Sequence, residues 1–199
     1  MGGISAPELT GFILAGGKST RMGMDKAFLE FEGRTLLRRA LDLVRSVTPE
    51  VRIVGDRGKF ASFGLVVEDV FPNCGPLGGI HAALRSSATD LNFMMAVDTP
   101  FVSLAFLQYL IGEARKTDDA RVVVPRSAGQ WQPLCAIYRR EFADRAERAL
   151  VAGRNKIDLL FDEVETRLID EEELDRAGFS GSIFRNLNTR DELDAERRA

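Results

Sequence analysis

The sequence predicts an α/β fold: one domain, with a mostly parallel sheet flanked by helices. Short apolar or β-branched runs alternate with stretches of helical periodicity, the pattern of βαβ units. One run, Leu91–Val97, is apolar at nearly every position, as a strand covered on both faces must be. A chain of 199 residues, 45% hydrophobic, is long enough to fill one sizeable core. Neither internal repeats nor a long linker divide it.

The elements follow in chain order. Residues 1–10 read as a flexible lead-in, and Phe12–Ala15 is a short strand that runs into two glycines. Thr35–Val47 carries apolar residues at 36, 37, 40, 41, 44 and 47, one stripe of a helix. Val51–Gly55 and Leu65–Val67 are further strands, and Gly79–Ser86 is a short helix. After Leu91–Val97, Ser103 is placed to cap a helix reaching about Arg115. Val122–Val124 is a buried strand, Pro133–Tyr138 a strand, Glu141–Val151 a helix and Val164–Ile169 a strand. Thr189 and Glu192 have the spacing of a capping box that opens a terminal helix.

Composition narrows the function classes. The net charge of −3 gives no basis for nucleic-acid or anionic-membrane binding, and no apolar stretch approaches the roughly 18 residues of a membrane span. Cys74 and Cys135 are far apart and in no Cys-x-x-Cys pair, which fits two reduced thiols in a cytoplasmic protein. His81 is the one histidine, which excludes two-histidine zinc motifs. Charge is uneven: residues 11–40 hold six basic and three acidic residues, whereas 141–199 hold ten basic and sixteen acidic. The local positive excess favours an anionic ligand near the first strand.

That strand ends in LAGGKSTRMGMDK, residues 14–26. Glycines after a strand let backbone N–H groups turn into a concavity that accepts anions, and Lys18, Arg21 and Lys26 add full charges. A polyphosphate would satisfy both; an ordinary strand-to-loop turn with solvated charges would use the same residues. Two better-known phosphate motifs are excluded. A P-loop needs glycine where Phe12 stands, and the dinucleotide pattern needs its first two glycines separated by one residue, whereas Gly16 and Gly17 are adjacent. In a parallel sheet, ligands bind outside the carboxyl ends of the strands. Gly16–Lys26 and Asp98-Thr99-Pro100 both fall at such ends, so one shared site is expected. Asp98 is a candidate Mg²⁺ ligand or a turn-forming aspartate, and Asp69, which also follows a strand, reads as a loop carboxylate on the surface. Gly75, Gly78 and Gly79 either admit a base or ribose or shape the turn into the next helix. His81 and Cys74 read as structural, and Trp131 as a packing residue or a platform for a flat ring.

The full string resembles the signature L-A-[AG]-G-x-S-x-R-M-G-x-x-K of a group of nucleotidyltransferases, and within it the molybdenum cofactor guanylyltransferase family. NCGPLGG (73–79), DTPF (98–101) and NLNT (186–189) are similar to that family's later blocks, in order, over about residues 11–193. The chain departs from the family at Gln132-Pro133, where His-Pro is common, and at Asn155, where arginine is common, both on the side given to the second substrate. The resemblance implies a Rossmann-like fold of the nucleotide-diphospho-sugar transferase kind. It implies Mg²⁺-assisted transfer of GMP from GTP to molybdopterin with release of pyrophosphate. Arg21, Lys26 and Asp98 would be catalytic, Asp98 as the metal ligand. Leu14, Ala15, Gly16, Gly17, Asp69, Gly75 and Gly78 would hold the nucleotide, and Asn186 and Asn188 would face the pterin. Transient contact with other molybdenum cofactor biosynthesis proteins is also implied. Two alternatives are a sibling enzyme, using CTP or acting on a sugar phosphate, and a nucleotide-binding module without catalysis.

Overall fold

The computed structural model describes residues 8–16 and 25–187. The predicted terminal helix at Thr189, the site residues Gly17, Arg21 and Asn188, and all but the last three of residues 1–10 lie outside them. The first strand, β1, spans Leu9–Leu14. A two-strand hairpin follows, β2 (Glu30–Phe31) and β3 (Arg34–Thr35), turning through Glu32 and Gly33. Next come α1 (Leu36–Arg45), β4 (Val51–Val54), the single turn α2 (Arg57–Phe60) and β5 (Leu65–Val67). The middle of the chain supplies α3 (Gly75–Ser86), β6 (Leu91–Ala96) and α4 (Leu104–Lys116). Then follow β7 (Val122–Ser127), β8 (Gln130–Trp131), β9 (Cys135–Arg139) and α5 (Phe142–Val151). The described chain closes with α6 (Asp158–Phe161), β10 (Thr166–Ile169), α7 (Glu171–Arg176) and a 3₁₀ turn at Gly181–Phe184.

The sheet runs β10-β7-β9-β6-β1-β4-β5, with β8 attached to β7. β1, β4, β5 and β6 are mutually parallel, and β10 is parallel to β7. The short β8 is antiparallel to β7, and β9 likewise reverses, antiparallel to both β6 and β7. Its direction follows from chain length: a parallel return needs a crossover of a dozen or more residues, and only the short β8 hairpin separates β7 from β9.

Alternation along the strands fills two cores. Ile13, Ile53, Phe93 and Met95 pack against α1 and α4 on one face; Phe12, Leu14, Val54 and Met94 pack against α3 and α5 on the other. The helices begin where side chains satisfy their first amides: Thr35 Oγ1 accepts from Arg38 N, and Ser103 Oγ from Phe106 N. Helix α3 begins four residues before the predicted Gly79, since Gly75-Pro76 forms its first turn, where proline's missing N–H leaves nothing unsatisfied.

The layers lie close at Gly11, where a Cβ would fall on Val44 Cγ1 of α1. Gly11→Ala should therefore destabilise the protein by about 1–3 kcal/mol through overpacking. A lowered urea midpoint with an unchanged m-value would show it.

Candidate active site

The sheet order reverses direction between β1 and β6, and a crevice opens there at the carboxyl ends of the strands. The strand tips are tied together: Leu14 is in register with Ala96, and Val97 N donates to Leu14 O at 3.1 Å. Asp98, one residue on, is thereby held beside Ala15 and Gly16. A cavity of about 580 Å³ fills the crevice, lined by Leu14, Ala15, Gly16, Asp25, Lys26, Asp69, Asn73, Gly75, Pro76, Gly79, Leu134 and Asp98, among others.

Lys26 lies in a 3₁₀ turn, Lys26–Phe28, capped by Asp25, whose Oδ1 accepts from Ala27 N at 3.2 Å. The other Asp25 oxygen accepts from Lys59 Nζ of α2 at 2.9 Å, which raises the Lys59 pKa. From this fixed turn the Lys26 ammonium reaches across the crevice to Asp98 Oδ2 at 3.1 Å. Two residues separated by 71 others in sequence thus form one part-buried ion pair inside the cavity.

Helix α3 presents its amino end to the same cavity. Asn73 and Gly75 both take positive φ, +64° and +65°, which turns the chain sharply into the helix. The cap residue Cys74 makes no side-chain capping bond, so the first α3 amides have no side-chain acceptor from that cap. The Asp69 carboxyl sits over this first turn, within reach of Gly78 and Gly79, and burial raises its pKa although much of the residue faces solvent.

Leu14, Ala15, Gly16, Lys26, Asp69, Gly75 and Asp98 line one cavity, as expected of a shared site. Gly78 is displaced from it: the residue is buried, and a Cβ there would meet Phe71 O at 2.8 Å, so its small size serves helix packing. The backbone cradle also differs from expectation. The amides of Ala15 and Gly16 both donate to Val54 O, at 2.9 and 3.1 Å, so neither offers a donor to an anion in this structure. Asn186 is exposed and precedes Leu187, whose N–H donates to Asp98 O at 2.9 Å; this segment therefore runs beside the DTPF loop. Arg185 covers the Phe101 ring at 4.4 Å and fastens it there.

His81 is buried and does not line the cavity. Burial lowers its pKa, its ring meets Phe71 edge-on, and among the described residues neither ring nitrogen makes a hydrogen bond, Nε2 lying 3.7 Å from Glu147 Oε2. Trp131 packs on Phe161 with Arg126 above it, while Gln132 Nε2 donates to Gln130 O. Sequence reasoning did not assign Asp25, Asn73, Pro76 or Leu134 to the site. Asp25 was in view beside Lys26, and the glycine-proline helix start would have pointed to Asn73 and Pro76.

An α/β sheet with a crevice at its switch point, an ion pair across that crevice and a helix amino end beside it define a nucleotide-handling transferase. The family model described as MobA-like NTP transferase domain matches residues 11–168, and the chain belongs to that family. It is 37% identical, over 94% of its length and 93% of the relative's, to the molybdenum cofactor guanylyltransferase of Desulfosudis oleivorans. Its fold matches molybdopterin-guanine dinucleotide biosynthesis protein A from Archaeoglobus fulgidus with a TM-score of 0.79 at 26% identity, covering 95% of this chain and 97% of that one. The 4-diphosphocytidyl-2C-methyl-D-erythritolsynthase of Anaerococcus prevotii, 14% identical, shares the fold alone, with a TM-score of 0.70 over 96% of each chain.

Because burial raises the Asp69 pKa in the folded state, ionised Asp69 opposes folding at neutral pH, and that penalty is absent below the ordinary carboxylate range. Asp69→Asn should be more stable than the parent at pH 7, with the gap closing as pH falls through that range. Urea unfolding at pH 7 and pH 4 measures both.

Proposed function

We infer that the protein transfers GMP from GTP to molybdopterin, forming the guanine dinucleotide cofactor and pyrophosphate. The observation that carries this reading is the Lys26–Asp98 pair inside the cavity between β1 and β6. Support for the substrates comes from the relative named molybdenum cofactor guanylyltransferase, aligned over nearly the whole of both chains.

In this reaction an oxygen of the cofactor's terminal phosphate attacks the α-phosphorus of GTP. The bond from that phosphorus to the β-phosphate's bridging oxygen breaks, and pyrophosphate leaves. A phosphate nucleophile is already ionised at neutral pH, so no general base is required, which agrees with His81 lying outside the cavity. What remains is alignment of two anions and compensation of their charge.

Charge balance supports a divalent cation. Asp25, Asp69 and Asp98 line the cavity, with Lys26 as the lining cation among the described residues. A triphosphate entering such a cavity brings more negative charge than Lys26 and Arg21 together balance. Mg²⁺ takes oxygen ligands and is often held by one or two carboxylates plus phosphate oxygens, so part-buried Asp98 fits as its protein ligand. Bound Mg²⁺ would neutralise charge on the α-phosphoryl and departing pyrophosphate.

Lys26 pairs with a phosphate oxygen as a point charge, and Arg21 clamps another. Leu14, Ala15, Gly16, Gly17 and Gly75 shape the nucleotide pocket, and Asp69 holds the nucleoside. Asn186, beside Asp98, and Asn188 face the incoming pterin. The reaction belongs to the cytoplasm, and the product passes on by transient contact with other cofactor-assembly proteins.

Lys26→Ala and Asp98→Asn should each lower pyrophosphate release by at least about a hundredfold, as loss of a charge-stabilising group does, with the fold intact by circular dichroism. Assayed with purified molybdopterin and each nucleoside triphosphate in turn, the parent should release pyrophosphate fastest with GTP. CTP in first place would make it a cytidylyltransferase; nucleotide binding without release would make it a binding module.

A further inference from the structure

Lys26 Nζ and Asp98 Oδ2 are 3.1 Å apart, with the side chains 30% and 16% exposed. In the transfer reaction these groups have different partners: the ammonium a phosphate, the carboxylate a divalent cation. In the ligand-free molecule each neutralises the other, and Lys26 stands at Oδ2, one of the two oxygens a cation could use. Mg²⁺ binds carboxylate oxygen at about 2.0–2.1 Å, which would set two positive groups against one another in a part-buried site. Cation and ammonium therefore compete for Asp98.

The surrounding structure leaves the two side chains as the movable parts. The backbone under Lys26 is fixed by the Asp25 cap on Ala27 N, by Leu29 N donating to Lys26 O at 3.0 Å, and by Lys59 holding Asp25 at 2.9 Å. The backbone at Asp98 is fixed by Val97 N on Leu14 O and by Leu187 N on Asp98 O. The four-carbon stem of lysine can re-aim its ammonium without disturbing either anchor. An incoming triphosphate, with several negative oxygens in the same cavity, is a stronger partner for that ammonium than one carboxylate.

We propose that the Lys26–Asp98 pair is a counter-ion lock: Lys26 closes Asp98 to divalent cations until a triphosphate draws the ammonium away, so metal and nucleotide enter the site together. The lock rests on the roles given to these two residues under the proposed function. It has a clear use here. Without its ammonium, Asp98 would face the cavity as an open carboxylate, able to take a cation with no substrate present.

The test is Mn²⁺ binding to the full chain without nucleotide, followed by the electron paramagnetic resonance of free Mn²⁺. Parent, Lys26→Met, Lys26→Gln, Asp98→Asn and the Lys26→Met/Asp98→Asn double variant are compared, with folding checked by circular dichroism. Both Lys26 variants should bind Mn²⁺ roughly five- to tenfold more tightly than the parent, the scale of a lost ion pair, and the double variant should lose that gain. GTP binding in EDTA should weaken in the Lys26 variants. Equal Mn²⁺ affinity in parent and folded Lys26 variants, with GTP binding weakened, would overturn the lock and leave the phosphate role standing. A gain that survives in the double variant would also overturn it, since the cation would not be on Asp98. Unchanged GTP binding in the Lys26 variants would overturn the phosphate role and the lock with it.

Discussion

The hydrogen bond from Val97 N to Leu14 O, at the open end of the β1–β6 ladder, is the contact on which the site depends. It fixes the register of the two central strands at their carboxyl ends. Asp98 therefore projects from the same edge of the sheet as Ala15 and Gly16. Everything else converges on that edge from different layers: the Lys26 turn from the loop after β1, Asp69 from the segment after β5, Gly75 from the start of α3. Each is held by the sheet and its two apolar cores, which is why a catalytic arrangement can rest on short loops.

Charge organises the crevice more than shape does. The lining carries three carboxylates and Lys26 among the described residues, and the amides of Ala15 and Gly16 are spent on Val54 O. Among the described residues, the β1 tip is thus no ready-made anion cradle of backbone donors. It is a mixed site in which Asp98 and Lys26 neutralise one another at rest and can be redistributed between a cation and a phosphate. Asp25 has a supporting part in this, since it spans the Ala27 amide and the Lys59 ammonium and so holds the turn that aims Lys26.

Much of the fold was legible in the sequence. Leu91–Val97 declared itself as a strand buried on both faces by being apolar at nearly every position, and α1 by its apolar stripe. The short elements were not legible. The β2–β3 hairpin turns through Glu32 and Gly33, and the β7–β8 hairpin through Ala128 and Gly129, each pair at positive φ. Glutamate and alanine seldom adopt that conformation, so neither turn carried a clear local signal. The reversal of β9 depends on a short connection whose β8 strand went unseen. At the site, the meeting of Lys26 and Asp98 in one crevice followed from strand-end logic, whereas their ion pair did not. Nor did the displacement of Gly78, because whether a glycine serves a ligand or a close backbone contact depends on how the preceding loop folds back on the helix, here the Phe71 carbonyl on Gly78.

The central claim is that the crevice between β1 and β6 receives the triphosphate, with Lys26 and Asp98 separated by it. A crystal structure with GTP and Mg²⁺ tests this most directly. The account predicts the phosphates between the Gly16 end of β1 and Asp98, with Lys26 Nζ on a phosphate oxygen and the cation on the Asp98 carboxylate. A nucleotide bound elsewhere, with the Lys26–Asp98 pair still closed, would contradict it.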